Sequence, residues 1–325
     1  GVTGFGQLIV SGGIDISTGV AFTGSMTAPP GSTVITPLTT LIDKLTQNNG
    51  MTVTDATAKV LASLGLHPGV DLLHFDPIFE TSRTDIGKTE SSIALAIHTA
   101  AVKVSILISQ AGALLSGAGV LSNEAAAIDL TYEALAASLA SNVSNTGLID
   151  LTADNTIAQI IQDTTELSGA NNSVLFKIGA LATDASQAIA NLNKAVVSAA
   201  TNNTDKSDIL STIAAAQIVS EHIESMMKSG AATGNIENTV GSTTGSTLVD
   251  AIAIAGATVG DVTGDGLPDP LPLPPAPPTS GGGGGGTSTP TTVQSYLATS
   301  ATAFSGTSAN DILSISTAAT WTPLV

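Results

Sequence analysis

Cysteine is absent from the 325-residue chain, which removes disulfides, cysteine-ligated zinc, iron–sulfur clusters and thiol nucleophiles together. Cations are scarce as well. Nine Lys and Arg stand against 26 Asp and Glu, a formal net charge of −17, and so acidic a chain cannot neutralise a phosphate backbone and is repelled by anionic headgroups. Nucleic acid is excluded as a routine partner. Aromatic residues make up only 3% and charged residues 11%, yet 42% of the chain is hydrophobic and its mean hydropathy is +0.36. The apolar content is therefore mostly Ala, Leu, Ile and Val, enough for a substantial core and far too much for a fully disordered chain. With the polar surface left to Thr, Ser, Asn and Asp, the composition matches bacterial surface and secreted structural proteins. The chain starts at Gly1 with no charged and apolar leader, so it reads as a processed product or an excised segment.

The residue pattern divides the chain into five parts. Residues 1–32 read as β, with short Val-, Ile-, Phe- and Thr-rich runs at 7–11 and 20–27 around Gly12, Gly13 and Gly19, closed by Pro29-Pro30-Gly31. Residues 33–87 read as a helical hairpin and connector. Thr36 is placed to cap, Pro37 takes the first helical position, Leu38, Leu41, Ile42 and Leu45 share a face, and Asn48-Asn49-Gly50 ends it. Residues 88–230 carry the strongest pattern. Ile93, Ile97, Ala100, Val104, Leu107, Ala111 and Leu114 alternate at spacings of four and three, as do Val174 to Ala199 and Ile209 to Met227. Such spacing lays each set along one seam of a long helix, and the many seam alanines allow close approach. An antiparallel bundle of about five helices is expected. Residues 231–287 read as a Gly/Thr/Pro-rich spacer with a stiff proline half and a loose hexaglycine half, and residues 288–325 as a small C-terminal β segment. The expected class is mainly α, an antiparallel helical bundle with small β elements at both termini.

Few motifs carry chemistry. Asp261, Thr263, Asp265 and Asp269, with Gly266 for the turn and the Leu267 carbonyl between them, offer the oxygen-rich shell that calcium prefers, although Pro272 stands where an EF-hand needs its bidentate Glu. Asp261, Thr263, Asp265, Leu267 and Asp269 are the candidate metal site, calcium the candidate cofactor. Ser82 to Thr89 is a near miss to a phosphate-binding loop and reads better as a helix start. Ser225-Met226-Met227-Lys228 matches S-x-x-K without its usual partners, and the methionines read as core filler. His67, His74, His98 and His222 show no ligand spacing, and His98 reads as a helix-flank residue. The carboxylates are scattered singly, so no acid and base pair is nominated and no enzyme is expected. Residues 104–122 are uncharged and about long enough to span a bilayer, but their Ser, Gln and Gly content favours a buried bundle helix over a membrane or pore-forming one.

Residues 12–24, 27–41, 64–66 and 69–77, from Gly12-Gly13-Ile14-Asp15 through Thr27-Ala28-Pro29-Pro30-Gly31 to Phe75-Asp76-Pro77, resemble a module of very large bacterial surface proteins, the repeat-rich adhesins and their secreted relatives. The resemblance covers about residues 6–80. It implies an extracellular setting, type I secretion and calcium-binding repeats, and brings no catalytic residues. Gly306 to Leu313 resembles the start of one RTX calcium repeat, with Ala309 where Gly is usual. Layout and resemblance together point to an extracellular structural protein at the bacterial cell surface or in a secreted matrix, a self-assembling subunit of a surface layer, matrix fibre or adhesin whose partner is a further copy of itself. The alternative is a pore-forming or membrane-active bundle.

Overall fold

A computed structural model of the chain describes residues 6–259 apart from 16–17, 84, 142–146 and 204. Its N-terminal part is one long hairpin. β1 (Leu8–Ser11) pairs antiparallel with β2 (Ser25–Ala28), Ile9 opposite Thr27, and pairing resumes between Ile14 and Ala21. Gly12 and Gly13, at φ 68° and 106°, separate the two stretches in a conformation that penalises any residue with a Cβ. The first helix begins as its residues dictate. The Thr36 hydroxyl accepts from the Thr39 N–H at 3.1 Å and the Thr39 hydroxyl accepts from the Thr36 N–H at 2.8 Å, a reciprocal cap that satisfies two otherwise free donors. From there α1 (Pro37–Asn49) runs to a left-handed Gly50. α2 (Val53–Ser63) packs back on it, and α3 (Pro77–Ser82), not anticipated from sequence, starts in the connector where Asp76 accepts from the Ile78 and Phe79 N–H groups.

The long helices follow as α4 (Lys88–Gly117), α5 (Glu124–Ser141), α6 (Asp154–Leu167), α7 (Asn172–Asn202) and α8 (Lys206–Thr233). The predicted seams are the core. Val104, Leu107, Ala111 and Leu114 of α4, Ala185, Ala188 and Leu192 of α7, and Ile213, Ala216 and Met227 of α8 are completely buried. α4 is the central member, packed against α5, α7 and α8. Asn193 of α7 reaches the Lys103 carbonyl while Lys177 reaches that of Ala118, so α7 runs antiparallel to α4. Gln110 of α4 donates to the Ser220 carbonyl at 2.6 Å, and Gly117 lies on the backbone of Lys228. Sequence positions rise together there, which makes α4 and α8 a parallel pair closing an otherwise alternating bundle. α1 is tied to α5 by the buried Lys44, 2.7 Å from Asp129 and 3.2 Å from Glu133. Burial disfavours its charge, but the two carboxylates outweigh that effect and raise its pKa.

The spacer expected over 231–287 is corrected in its first half. α8 continues to Thr233, and α9 (Glu237–Ser242) and α10 (Gly245–Gly256) fold back against it, burying Ile236, Leu248, Ile252, Ala255 and Val259. The apolar positions 248, 252, 255 and 259 have helical spacing, and their burial outweighs the poor helix propensity of the surrounding Gly, Ser and Thr. The rest of the spacer and the C-terminal β segment of 288–325 lie outside the described residues.

Candidate functional site

α4 has a second face. His98, Ala101, Val102, Ser105, Ile106 and Ser109 recur every three or four residues beside the buried seam, and they face the N-terminal hairpin across a cavity of about 590 Å³. Val10, Ile14 and Phe22 of the hairpin roof it, Ile128 and Tyr132 of α5 close one side, and Gln217, Glu221 and Glu224 of α8 line the other. Apolar walls with a few polar groups, in a volume within the range of about 300–1,000 Å³, are the usual make-up of a small-molecule site.

Each polar group there is held differently. His98, expected on the helix flank, is instead buried at 6% exposure, lines the cavity and has no hydrogen-bond partner among the described residues. Burial alone lowers its pKa to about 4, so the imidazole is neutral. The reason for the correction is tertiary, since the hairpin covers a helix face that would otherwise meet water. Glu224 is pushed the other way, to about 7, by burial first and then by the neighbouring Glu124. Glu124 spends Oε2 on Lys228 at 2.7 Å, and its buried Oε1 has no partner; a protonated Glu224 supplies the missing donor. Burial likewise raises the Tyr132 hydroxyl, which bonds to Thr40. Asp76 lies at the α3 end of the cavity, its pKa raised by burial against the opposing pull of two backbone N–H groups.

The α4 groups do not pair with one another. His98 and Ser105 are seven residues apart on one helix, about 10 Å at 1.5 Å per residue, beyond proton-transfer distance. Among the described residues no three His, Asp or Glu side chains converge as a metal site. The candidate calcium ligands Asp261, Thr263, Asp265, Leu267 and Asp269 lie outside the described residues.

The roof carries a second feature. Thr27 of β2 turns its backbone outward to α1: its N–H donates to the Thr40 hydroxyl at 3.0 Å, and its carbonyl accepts from the Thr39 and Thr40 hydroxyls at 3.1 and 3.2 Å. Helix side chains thus cap that edge of the sheet. In an antiparallel pair the opposite residue must point its own backbone groups away too, so Ile9, 64% exposed, presents its N–H and C=O at the open edge of β1. No strand pairs with that edge among the described residues. The sequence marked the β character of this segment, but which of its two edges is covered depends on where α1 docks.

Set against known protein families, curated proteins and solved structures, the chain matches none.

Proposed function

We propose that the protein is an extracellular structural subunit that associates with further copies of itself in a bacterial surface layer, matrix fibre or adhesin. The observation that carries this reading is the one-sided hairpin, with β2 capped by threonines and β1 left, among the described residues, with no strand on its other edge. Native proteins ordinarily blunt such an edge, and one left open is a template for an added strand. The occupant is the alternating stretch around Ile312–Ile315 of another copy's C-terminal segment, with the proline and glycine residues of 268–286 giving it reach. The composition, the resemblance of residues 6–80 and the candidate calcium loop agree with that setting. The alternative, a membrane-active bundle, draws on α4, whose most apolar window has a mean hydropathy of 1.7. Against it, 61% of that window is buried and α4 is the helix around which the others pack.

Sedimentation and electron microscopy test the reading. The full chain should form oligomers, fibres or sheets while leaving dye-loaded liposomes intact, and both Ile9→Pro and deletion of residues 288–325 should return it to monomer with unchanged helical content. A monomeric full chain that releases dye overturns the proposal in favour of the membrane reading. Assembly that survives both changes removes the edge from it.

A further inference from the structure

The cavity under the hairpin has a defined polarity. Asp15, Asp76, Glu221 and Glu224 lie on its wall, and among the described residues no Lys or Arg does, so an anion entering it meets no opposite charge. At the α8 side Glu224 bonds to Ser109 of α4. At the other end of the same α4 face stands His98, more than nine-tenths buried, lining the cavity and with no hydrogen-bond partner among the described residues. Its ring nitrogens are not among the unpartnered atoms wholly shut off from solvent, so they open on the cavity, where a ligand group or water pairs with them. Its neutral ring offers one donor and one acceptor. Between the two ends the floor is Ala101, Val102 and Ile106, which attract only an apolar body. His98 and Ser109 are eleven residues apart, about 16 Å at 1.5 Å per residue, and a saturated chain of about ten to twelve carbons reaches that far.

We propose that this cavity binds an elongated amphipathic amine: a cationic nitrogen at the Glu221 and Glu224 end, an apolar chain over Ala101, Val102 and Ile106, and a hydroxyl at its far end on His98. The ammonium donates to the Glu221 carboxylate and to the carbonyl oxygen of the protonated Glu224. The hydroxyl pairs with the imidazole, and the chain fills space that the hairpin roof shields from water. Leu8 to Ser11 of β1 line the cavity as well as carrying the open edge, so ligand binding is read at His98 on α4 and self-association separately, by sedimentation.

Three probes of matched length, kept below their micelle concentrations, test it by calorimetry on the full chain: 12-aminododecan-1-ol, dodecylamine and dodecanoate. The amino alcohol should bind one to one, dodecylamine about tenfold more weakly for want of the hydroxyl contact, and dodecanoate not measurably. His98→Leu should weaken the amino alcohol about tenfold and leave dodecylamine unchanged, a split that a merely structural histidine would not produce. Ala101→Phe, which fills the floor, should abolish binding of both amines with helical content retained. As a reading that needs no variant, the His98 imidazole NMR signals should shift with the amino alcohol and stay still with dodecanoate. Absence of saturable binding, binding that survives Ala101→Phe, dodecanoate binding as tightly as the amines, or an unmoved His98 signal at saturation would each overturn the proposal.

Discussion

Gly117→Ala tests the parallel contact between α4 and α8. A methyl group built on Gly117 falls 2.9 Å from the Cα and carbonyl carbon of Lys228 and closer still to its carbonyl oxygen. All three are backbone atoms, so no rotamer change relieves the clash and the two helices must separate by roughly 1 Å over a close-packed interface. Overpacking of this sort costs about 1–3 kcal/mol or more, while exchanging Gly for Ala in a helix returns at most about 1 kcal/mol. Because backbone opposes backbone, the upper end of that cost applies. The expected net loss is about 2 kcal/mol, a Tm lower by about 4–8 °C for a chain of this size. Gly112→Ala is the internal control. Its added methyl would lie 2.6 Å from Cγ1 of Ile128, a side chain that borders the cavity and has room to swing into it, so the change should stay within about 1 kcal/mol of wild type. Urea unfolding of both variants, with helical content followed by circular dichroism, decides between them. If Gly117→Ala were as stable as wild type, or Gly112→Ala the more damaging of the two, the inferred parallel packing of α4 and α8 would be wrong.

Other outcomes follow from single side chains. Asn193 is fully buried and donates to the Leu151 carbonyl at 2.7 Å, so Asn193→Ala should lower the unfolding free energy by about 1–3 kcal/mol and speed amide exchange around residues 147–153. His98 stays neutral in the fold down to about pH 4 but protonates near 6.5 once unfolded. The unfolded chain therefore binds the extra proton between those values. Stability should fall as pH drops from 6.5 to 4, by about 3 kcal/mol from this group, and His98→Leu should flatten that slope. Glu224 has the opposite sign. Its folded pKa of about 7 lies above its unfolded value, so its ionisation destabilises the fold as pH rises through that window, and Glu224→Gln should gain about 1–2 kcal/mol at pH 8; no gain in chemical denaturation would mean that the two glutamates are better solvated than their burial implies. Three carboxylates at Asp261, Asp265 and Asp269 repel one another until a divalent cation joins them, so calcium in place of EDTA should raise Tm or promote assembly, and identical behaviour in both would remove the calcium site.

Much of the architecture is local chemistry and was readable in one dimension. Thr36-Pro37 and Gly50 bound α1 because capping and left-handed φ depend on a few adjacent residues. The four-three seams of α4, α7 and α8 are buried as their spacing requires, since a helix fixes which side chains share a face whatever it packs against. The segment after Gly230 was less legible. Its small polar residues mask the helical spacing at 248–259, and only the apolar flank of α8 gives that spacing something to bury against.

What the sequence by itself determined was therefore the class of the fold, the boundaries of its first helix and the residues of its seams. The tertiary structure alone decided the parallel pairing of α4 with α8, the capping of β2 by Thr39 and Thr40, and the burial of His98 under the hairpin. Each of these joins different elements of the fold, and Gln110 and Ser220 stand 110 positions apart in the chain. Periodicity records only that a side chain lies on some face of its own helix, whereas a neighbour's position depends on how all the helices pack at once. A histidine beside an apolar seam reads the same whether water or a hairpin lies over it, and the difference in free energy between those two surroundings is what makes His98 a site.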